Sequence, residues 1–452
     1  MRTAIFFSRH LLTSCCAVFA ICASTDTLAA QFVVTKTTDS FDGTCDTDCS
    51  LREAVHAANQ IPGEHNIKLE PLTYVYSIPA PRDEEGITFE EDDISIGDIE
   101  VRQSITITGS KTGSTVINAN FKDRHFSVTN NATLSLRNVA LTGGRCSTFG
   151  GAILNRGSLY LQQVVMDRNF ASAWMGGGGG AIANFNEMEI RRSSFSRNVA
   201  SFGDSGSAMG GAIFNSGKAY IRDSAFRQNR ATTDDVTSQG GAIYNDGIAD
   251  IGRSIFIKNA AAGGGMALYN RGQMSVSNAT VSDSTGEDIY YFGAVQNTTS
   301  GTLTLIHTSI LGSIFGSGLL NYGAVSIRNS IIIDNKYSSE FSTEYEDYKN
   351  CVNYAPSSLF KTKGLLLGNG NTKCTGEIHA DDSTAYSEIV APLAQNNYEL
   401  ESYALLPNSP AIDAAVGSCS LHDQRWLPRP IDGNADGIAA CDLGPIEMQM
   451  AE

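Results

Sequence analysis

Gly210-Gly211-Ala212-Ile213-Phe214-Asn215 is one copy of a hexapeptide that recurs along the chain. Gly150-Gly151-Ala152-Ile153-Leu154-Asn155, Gly179-Gly180-Ala181-Ile182-Ala183-Asn184 and Gly240-Gly241-Ala242-Ile243-Tyr244-Asn245 are further copies, and worn ones end at Asn270, Asn297 and Asn321. Self-similarity at this period marks a solenoid. The landmark asparagines are 29, 31, 30, 25, 27 and 24 residues apart, so coil length varies. The arc that follows them is steadier. Asn169, Asn198, Asn229, Asn259 and Asn335 each stand fourteen residues after a landmark. The variable length therefore falls in the opposite arc, as in residues 171–178 and 231–239.

Three apolar positions recur in each coil. Two residues before the landmark stand Ile153, Ile182, Ile213, Ile243, Leu268, Val295 and Leu319. Six residues after it come Leu161, Ile190, Ile221, Ile251, Val276 and Ile327, and eleven after it Met166, Phe195, Phe226, Phe256, Val281 and Ile332. They lie on short alternating stretches such as Lys218-Ala219-Tyr220-Ile221-Arg222, the period of a strand. Three strands per coil with Gly and Asn corners predict an all-β fold, a three-strand parallel β-helix. Glycine content and phase argue against helical repeats. Stacked coils lie about 4.8 Å apart, so roughly ten of them make a rod near 50 Å long. Each buried aliphatic or Phe contributes roughly 1.5–3 kcal/mol. Asparagine accepts left-handed corner angles, and stacked asparagines can hydrogen-bond as a ladder.

The residue before each landmark scatters in type, from Leu154 and Ala183 to Gln296, which points it away from the core. Phe214, Tyr244 and Tyr269 then form a candidate ligand face on which sugar rings could stack; ordinary cross-rung packing is the competing and favoured reading. Basic residues also align, with Arg168, Arg197 and Lys258 at one register and Arg137, Arg191, Arg222 and Arg328 at another. They fit an anionic glycan or, more simply, a solvated outer face.

The 452 residues carry a formal net charge of −16, which argues against nucleic-acid binding. Arg2 and Arg9, the apolar run from Leu11 to Ala23 and the small residues Thr27, Ala29 and Ala30 read as a cleaved export signal over residues 1–30. No other stretch approaches the roughly 18 apolar residues of a membrane span, so no integral span is expected in the mature chain. Export permits disulfides. Sequence proximity points to Cys45–Cys49, Cys351–Cys374 and Cys419–Cys441, although spacing alone does not fix connectivity. Cys146 is left over as a small apolar residue.

A β-helix has open ends that need covering. Residues 49–60 read as a helical cap, with Ser50 as N-cap, Glu53 three residues on, and Leu51, Val55 and Ala58 on one face. Residues 31–93 form the N-terminal cap unit. The β-helix proper spans 94–345, with Ile105, Ile107, Val116, Ile117, Phe126 and Val128 as early core candidates. Between helix and coils runs an acidic stretch, Asp83 to Glu85, Glu90 to Asp93, then Asp98 and Glu100. It reads as a solvated loop; a calcium site is the alternative, without regular ligand spacing. Residues 346–452 break the repeat as an irregular C-terminal cap. There Asp432-Gly433-Asn434-Ala435-Asp436-Gly437 matches the start of a calcium loop. Asp432, Asn434, Asp436 and Asp442 are the candidate ligands, although Leu443 stands where the bidentate acid belongs.

Cys49-Ser50-Leu51-Arg52-Glu53-Ala54, continued by residues 97–101 and 123–126, resembles the CSLREA domain of exported bacterial β-helix proteins. The GGAI and FxxN tetrapeptides resemble repeats of chlamydial polymorphic outer-membrane proteins. Ser409-Pro410-Ala411-Ile412-Asp413, with Asp423-Gln424-Arg425 and Arg429-Pro430, resembles the choice-of-anchor Q domain, with Trp426 where glycine usually follows Asp-Gln-Arg. The resemblance implies a right-handed parallel β-helix of pectin lyase-like fold, secreted or at the bacterial surface. The periplasm is also compatible. It implies no common catalytic motif, and no sorting anchor or autotransporter barrel follows.

The first functional expectation is a non-enzymatic, adhesin-like interaction protein whose partner is an extracellular glycan or surface polymer. The second is a polysaccharide lyase or glycoside hydrolase. That chemistry needs carboxylates at set separations, yet Asp167, Asp223, Asp246, Asp250, Asp283 and Asp334 fall at differing registers, Asp234-Asp235 is the adjacent pair, and the histidines scatter. No catalytic residue is assigned from sequence.

Overall fold

The structure, a computed structural model, describes residues 29–84, 91–173, 177–202, 206–233, 237–286, 292–336, 349–396 and 398–449. Residues 1–28 of the expected export signal, Asp234-Asp235 and residues 85–90 of the acidic stretch lie outside the described residues.

The chain winds as a parallel β-solenoid. The landmark strands form an eleven-stranded sheet. In it Ile153 pairs with Ile182, then Ile213, Ile243, Leu268, Val295 and Leu319 in turn. Leu161, Ile190, Ile221, Ile251, Val276, Leu305 and Ile327 form the second column. Met166, Phe195, Phe226, Phe256, Val281, Ile310 and Ile332 form the third. All three columns are buried, and the rings of Phe195, Phe226 and Phe256 stack at 4.8 Å. The variable arc adds a five-stranded sheet to the middle coils, where Ala171, Ala200, Ala231 and Ala261 are stacked.

The asparagine ladder is continuous. Each Nδ2 donates to the next Oδ1 from Asn155 through Asn184, Asn215, Asn245, Asn270, Asn297 and Asn321 to Asn353, at 2.6–2.8 Å. A second ladder joins Asn169, Asn198, Asn229 and Asn259 at 2.9–3.0 Å. The glycine pair is needed for close approach: a β-carbon on Gly211 would stand 2.1 Å from the Gly241 carbonyl oxygen, and Gly210 has φ +71.

Helix Leu51–Asn59 forms with the anticipated capping box between Ser50 and Glu53, and Leu51, Val55 and Ala58 are buried. Coiling starts earlier than residue 94. Strand Gln31–Val33 pairs with Glu64–Lys68, which pairs with Ser104–Thr108. It also runs past residue 345, through Cys351–Asn353 and Phe360–Leu367. Val116 faces outward and its neighbour Ile117 fills the core, because a strand buries alternate residues. Disulfides join Cys45 to Cys49, Cys351 to Cys374 and Cys419 to Cys441, while Cys146 is free and buried. Among the described residues no helix is long and apolar enough to cross a membrane.

Candidate functional site

A corner lies between the second and third strands of each coil. It is occupied by Gln163, Arg192, Asp223, Arg253, Asn278, His307 and Asn329, all with φ between 46 and 54. These side chains do not repeat, so no continuous ladder runs through them, although Arg253 pairs with Asp223 and Asn329 with His307. Further partners come from the C-terminal region, which lies along this flank as a strap. Asn329 Oδ1 accepts from the Val416 amide at 2.8 Å, Asn278 donates to Ser420 Oγ at 3.0 Å, and Thr280 donates to Gln424 Oε1 at 2.8 Å. Arg429 donates to His307 Nδ1 at 2.6 Å and pairs with Glu447 at 3.2 Å, all three being nearly or fully buried. Burial and then the neighbouring Arg429 guanidinium hold His307 down at about 3, so the ring stays neutral and can accept. Burial pushes Glu447 up to about 7 and Asp442 to about 6.

Further back along the solenoid, Leu393 and Leu400 pack on Ala225, Ile255 and Ile257, and Glu401 pairs with Arg227. Trp426 Nε1 donates to Asp223 Oδ1 at 2.9 Å, and the Arg253 guanidinium lies 3.9 Å from the indole centroid. Arg253 also pairs with Asp223 at 2.8 Å. Buried Asp223 is thus an anchor shared by two elements. Its position fixes the indole, which remains 44% exposed.

Beside Trp426 opens a cleft of about 630 Å³, lined by Arg192, Gln395, Tyr398, Glu399 and Trp426. Arg192 comes from the solenoid and the other four from the strap. Two aromatic rings give flat faces whose negative charge suits the C–H bonds of a sugar ring. The guanidinium, amide and carboxylate supply donors and acceptors for hydroxyls or a uronate. Arg192 has no side-chain partner among the described residues. The lining is mainly polar, with two aromatic rings among Arg192, Gln395 and Glu399. Glu399 is the lining carboxylate among the described residues, and Asp223 is engaged beneath, so these residues do not form the opposed acid pair of a hydrolase.

Each sequence-derived site residue has a definite place. Phe214, Tyr244 and Tyr269 do stack, with centroids 5.5 and 5.3 Å apart. They face away from the central core, yet they are 7%, 2% and 8% exposed. With Leu154 and Ala183 they form a second small core, against which Phe149 and Met209 pack. Scatter in residue type signalled a different neighbour, not open water. The ring column emerges only where Phe149 and exposed Phe185 pack near Phe214. Of the candidate calcium ligands, Asp432 and Asn434 turn their Oδ1 atoms onto one amide, that of Asp436. Asp432 and Asn434 accept from the loop amides of Asp436 and Gly437, and Asp436 accepts from Ile438. Asp442 is turned inside, accepting from the Asp413 amide at 2.7 Å. Asx turns account for this loop without an ion. The aligned basic residues are partly neutralised, Arg197 by Asp167, Arg191 by Glu189 and Arg222 by Asp250.

The cleft residues were missed because strap and corner are far apart in sequence. Trp426 carried the one available signal, being an aromatic where the resembled pattern has glycine.

No family model and no curated protein matches the chain. Among solved structures, similarity is found to pectate lyase Pel9A, at 13% identity and TM-score 0.47 over 93% of this chain and 96% of that one. It is also found to a variant of the PL6 family alginate lyase AlyGC, at 10% identity and TM-score 0.32 over 81% of this chain and 55% of that one.

Proposed function

We propose that this chain is an exported, secreted or surface-associated right-handed β-helix protein of the CSLREA and choice-of-anchor Q kind, and that it binds an extracellular glycan without turning it over. The carrying observation is the cleft in which Trp426 and Tyr398 stand beside the unpaired Arg192, with Gln395 and Glu399 completing the polar lining. The disulfides support an oxidising compartment. A rigid solenoid holding an aromatic and a cation in fixed register suits an adhesin-like role on an extended, acidic polymer. Replacing the indole should weaken binding more than it weakens the fold, because the ring is half exposed.

The test is a glycan array with the purified mature chain, followed by titration of the best ligand. Trp426→Ala should reduce affinity about tenfold or more, the scale of a lost stacking or cation–π contact. Incubation with uronate and neutral glycans should yield neither unsaturated products nor new reducing ends. Turnover that disappears in Glu399→Gln would replace this reading with a polysaccharide lyase or glycoside hydrolase.

A further inference from the structure

The acidic stretch between the helical cap and the first coils has an unexpected inner end. Glu91, Asp98 and Glu100 each present a carboxylate oxygen within 4.8 Å of the others. Glu100 sits on strand Ile99–Val101, turned from the central core, and is fully buried. Neither of its carboxylate oxygens has a hydrogen-bond partner. Glu91 accepts from the Asp93 amide through Oε2 at 2.9 Å, while its buried Oε1 has no partner. A β-carbon on Gly97 would lie 2.2 Å from that Oε1 and 2.8 Å from Asp123 Oδ2, so the glycine leaves these oxygens room to approach.

The local charges do not balance. Arg52 is matched by Asp39 at 2.8 Å and donates to the carbonyls of Ile94, Gly97 and Asp98. Arg124 is matched by Asp98 at 3.4 Å. Among the described residues neither Glu91 nor Glu100 has an ion-pair partner, Arg52 and Arg102 acting on them only from further away, and a buried carboxylate without a partner is costly. Either two protons or one dication would relieve them. All the converging donors are hard oxygens, with no thiolate or imidazole among the three. That set favours calcium over zinc or copper. Half-buried Glu91, flanked by exposed Asp92 and Asp93, gives an ion a route in.

We propose that Glu91, Asp98 and Glu100 form a binding site for a hard divalent cation, calcium in the first instance, which fastens the 91–98 loop onto the first coils. The outer acids act as its approach, and the site is separate from the cleft at the strap. Its effect is on the stability of the N-terminal cap.

The full mature chain is melted at about pH 8 with excess EGTA and with about 1 mM calcium, a concentration suited to extracellular sites. Calcium should raise Tm by roughly 1–2 °C, as expected for a ligand up to about tenfold above its Kd on a chain of this size. Glu100→Gln should abolish that rise, while Asp436→Asn in the C-terminal loop should keep it. If Glu100→Gln fails to fold, Glu91→Gln serves as the second variant, with the same loss expected. No calcium-dependent rise in the wild-type chain would overturn the proposal and leave protons as the occupants. A rise that survives in the Glu100 or Glu91 variant but vanishes in Asp436→Asn would also overturn it.

Discussion

Two corners of the same coil are built on opposite principles. The landmark corner places asparagine over asparagine, and each amide satisfies the next. The corner between the second and third strands places Arg192, Asp223, Arg253, Asn278, His307 and Asn329 over one another, and an outside segment satisfies most of them. Where the residue repeats, the partner is another copy of itself. Where it varies, most partners come from a segment that does not repeat, and here a cleft opens between the two. Heterogeneity at this solenoid corner therefore points to docking, whereas the column of Phe214, Tyr244 and Tyr269 is covered by its own stacking and by Phe149 and Met209 of the coils.

The sharpest way to break the contrast is to detach the strap while leaving the ladder alone. Arg429→Met removes a buried guanidinium from His307, Glu447 and the Gly444 carbonyl. Losing one partner of a buried ion pair costs about 3–5 kcal/mol. The expected result is early loss of Trp426 fluorescence in a Trp174→Phe background, and proteolytic cutting within residues 385–449 ahead of the coils. Simultaneous unfolding of strap and coils would show that the two corners are not energetically distinct.

The reciprocal change is Asn215→Ala. Asn215 donates to Asn245 Oδ1 and to the carbonyls of Gly217 and Ile248, and accepts from Asn184. Alanine strands these buried groups, at about 2–3 kcal/mol. Denaturant unfolding followed by far-UV circular dichroism should register the loss in the coils. A cost below about 0.5 kcal/mol would mean that water or local repacking substitutes for the ladder.

The same contrast explains what could be read from sequence. Ile153, Ile182 and Ile213 announce their register because each packs on its own copy one period away, so period and packing are one fact. Ser50 and Glu53 were legible because a capping box is local, three residues wide. Nothing in the local sequence of Asp223 indicates Trp426 or Tyr398, which lie 203 and 175 residues away. Glu91, Asp98 and Glu100 failed the spacing test for a calcium loop because the turn around Arg52 brings them together, not a regular ligand interval.

Titration should separate the corners more gently. The ladder asparagines of the landmark corner do not ionise, and the adjoining Arg156, Asp246 and Arg271 keep their charge across neutral pH, so its protection against hydrogen exchange should not change there. The strap has Glu447 at about 7 and Asp442 at about 6, both above their ordinary values. The folded strap therefore holds more protons than the unfolded one, and this contribution is lost as pH rises. His307, depressed to about 3, acts in the opposite sense below its ordinary value of 6.5. The two acids outweigh it, so net strap stability should fall between about pH 4.5 and 7. Protection factors in residues 411–447, with the intrinsic rise of exchange with pH divided out, that stay flat or rise over that interval would contradict these assignments.

The smallest change asks whether Trp426 serves the fold or the ligand. Trp426→Phe keeps an aromatic face but deletes the Nε1–H that donates to Asp223. A hydrogen bond to a charged group contributes about 1.5–3 kcal/mol when fully buried. Trp426 is half exposed, so a loss nearer 1 kcal/mol is expected, read in the strap's melting. If the ring is a platform for sugar, glycan affinity should stay within about threefold of wild type while Trp426→Ala loses tenfold. Equal losses in both variants would mean that the indole's tether to Asp223, not its face, is what the cleft requires, and the aromatic-platform argument would then fail.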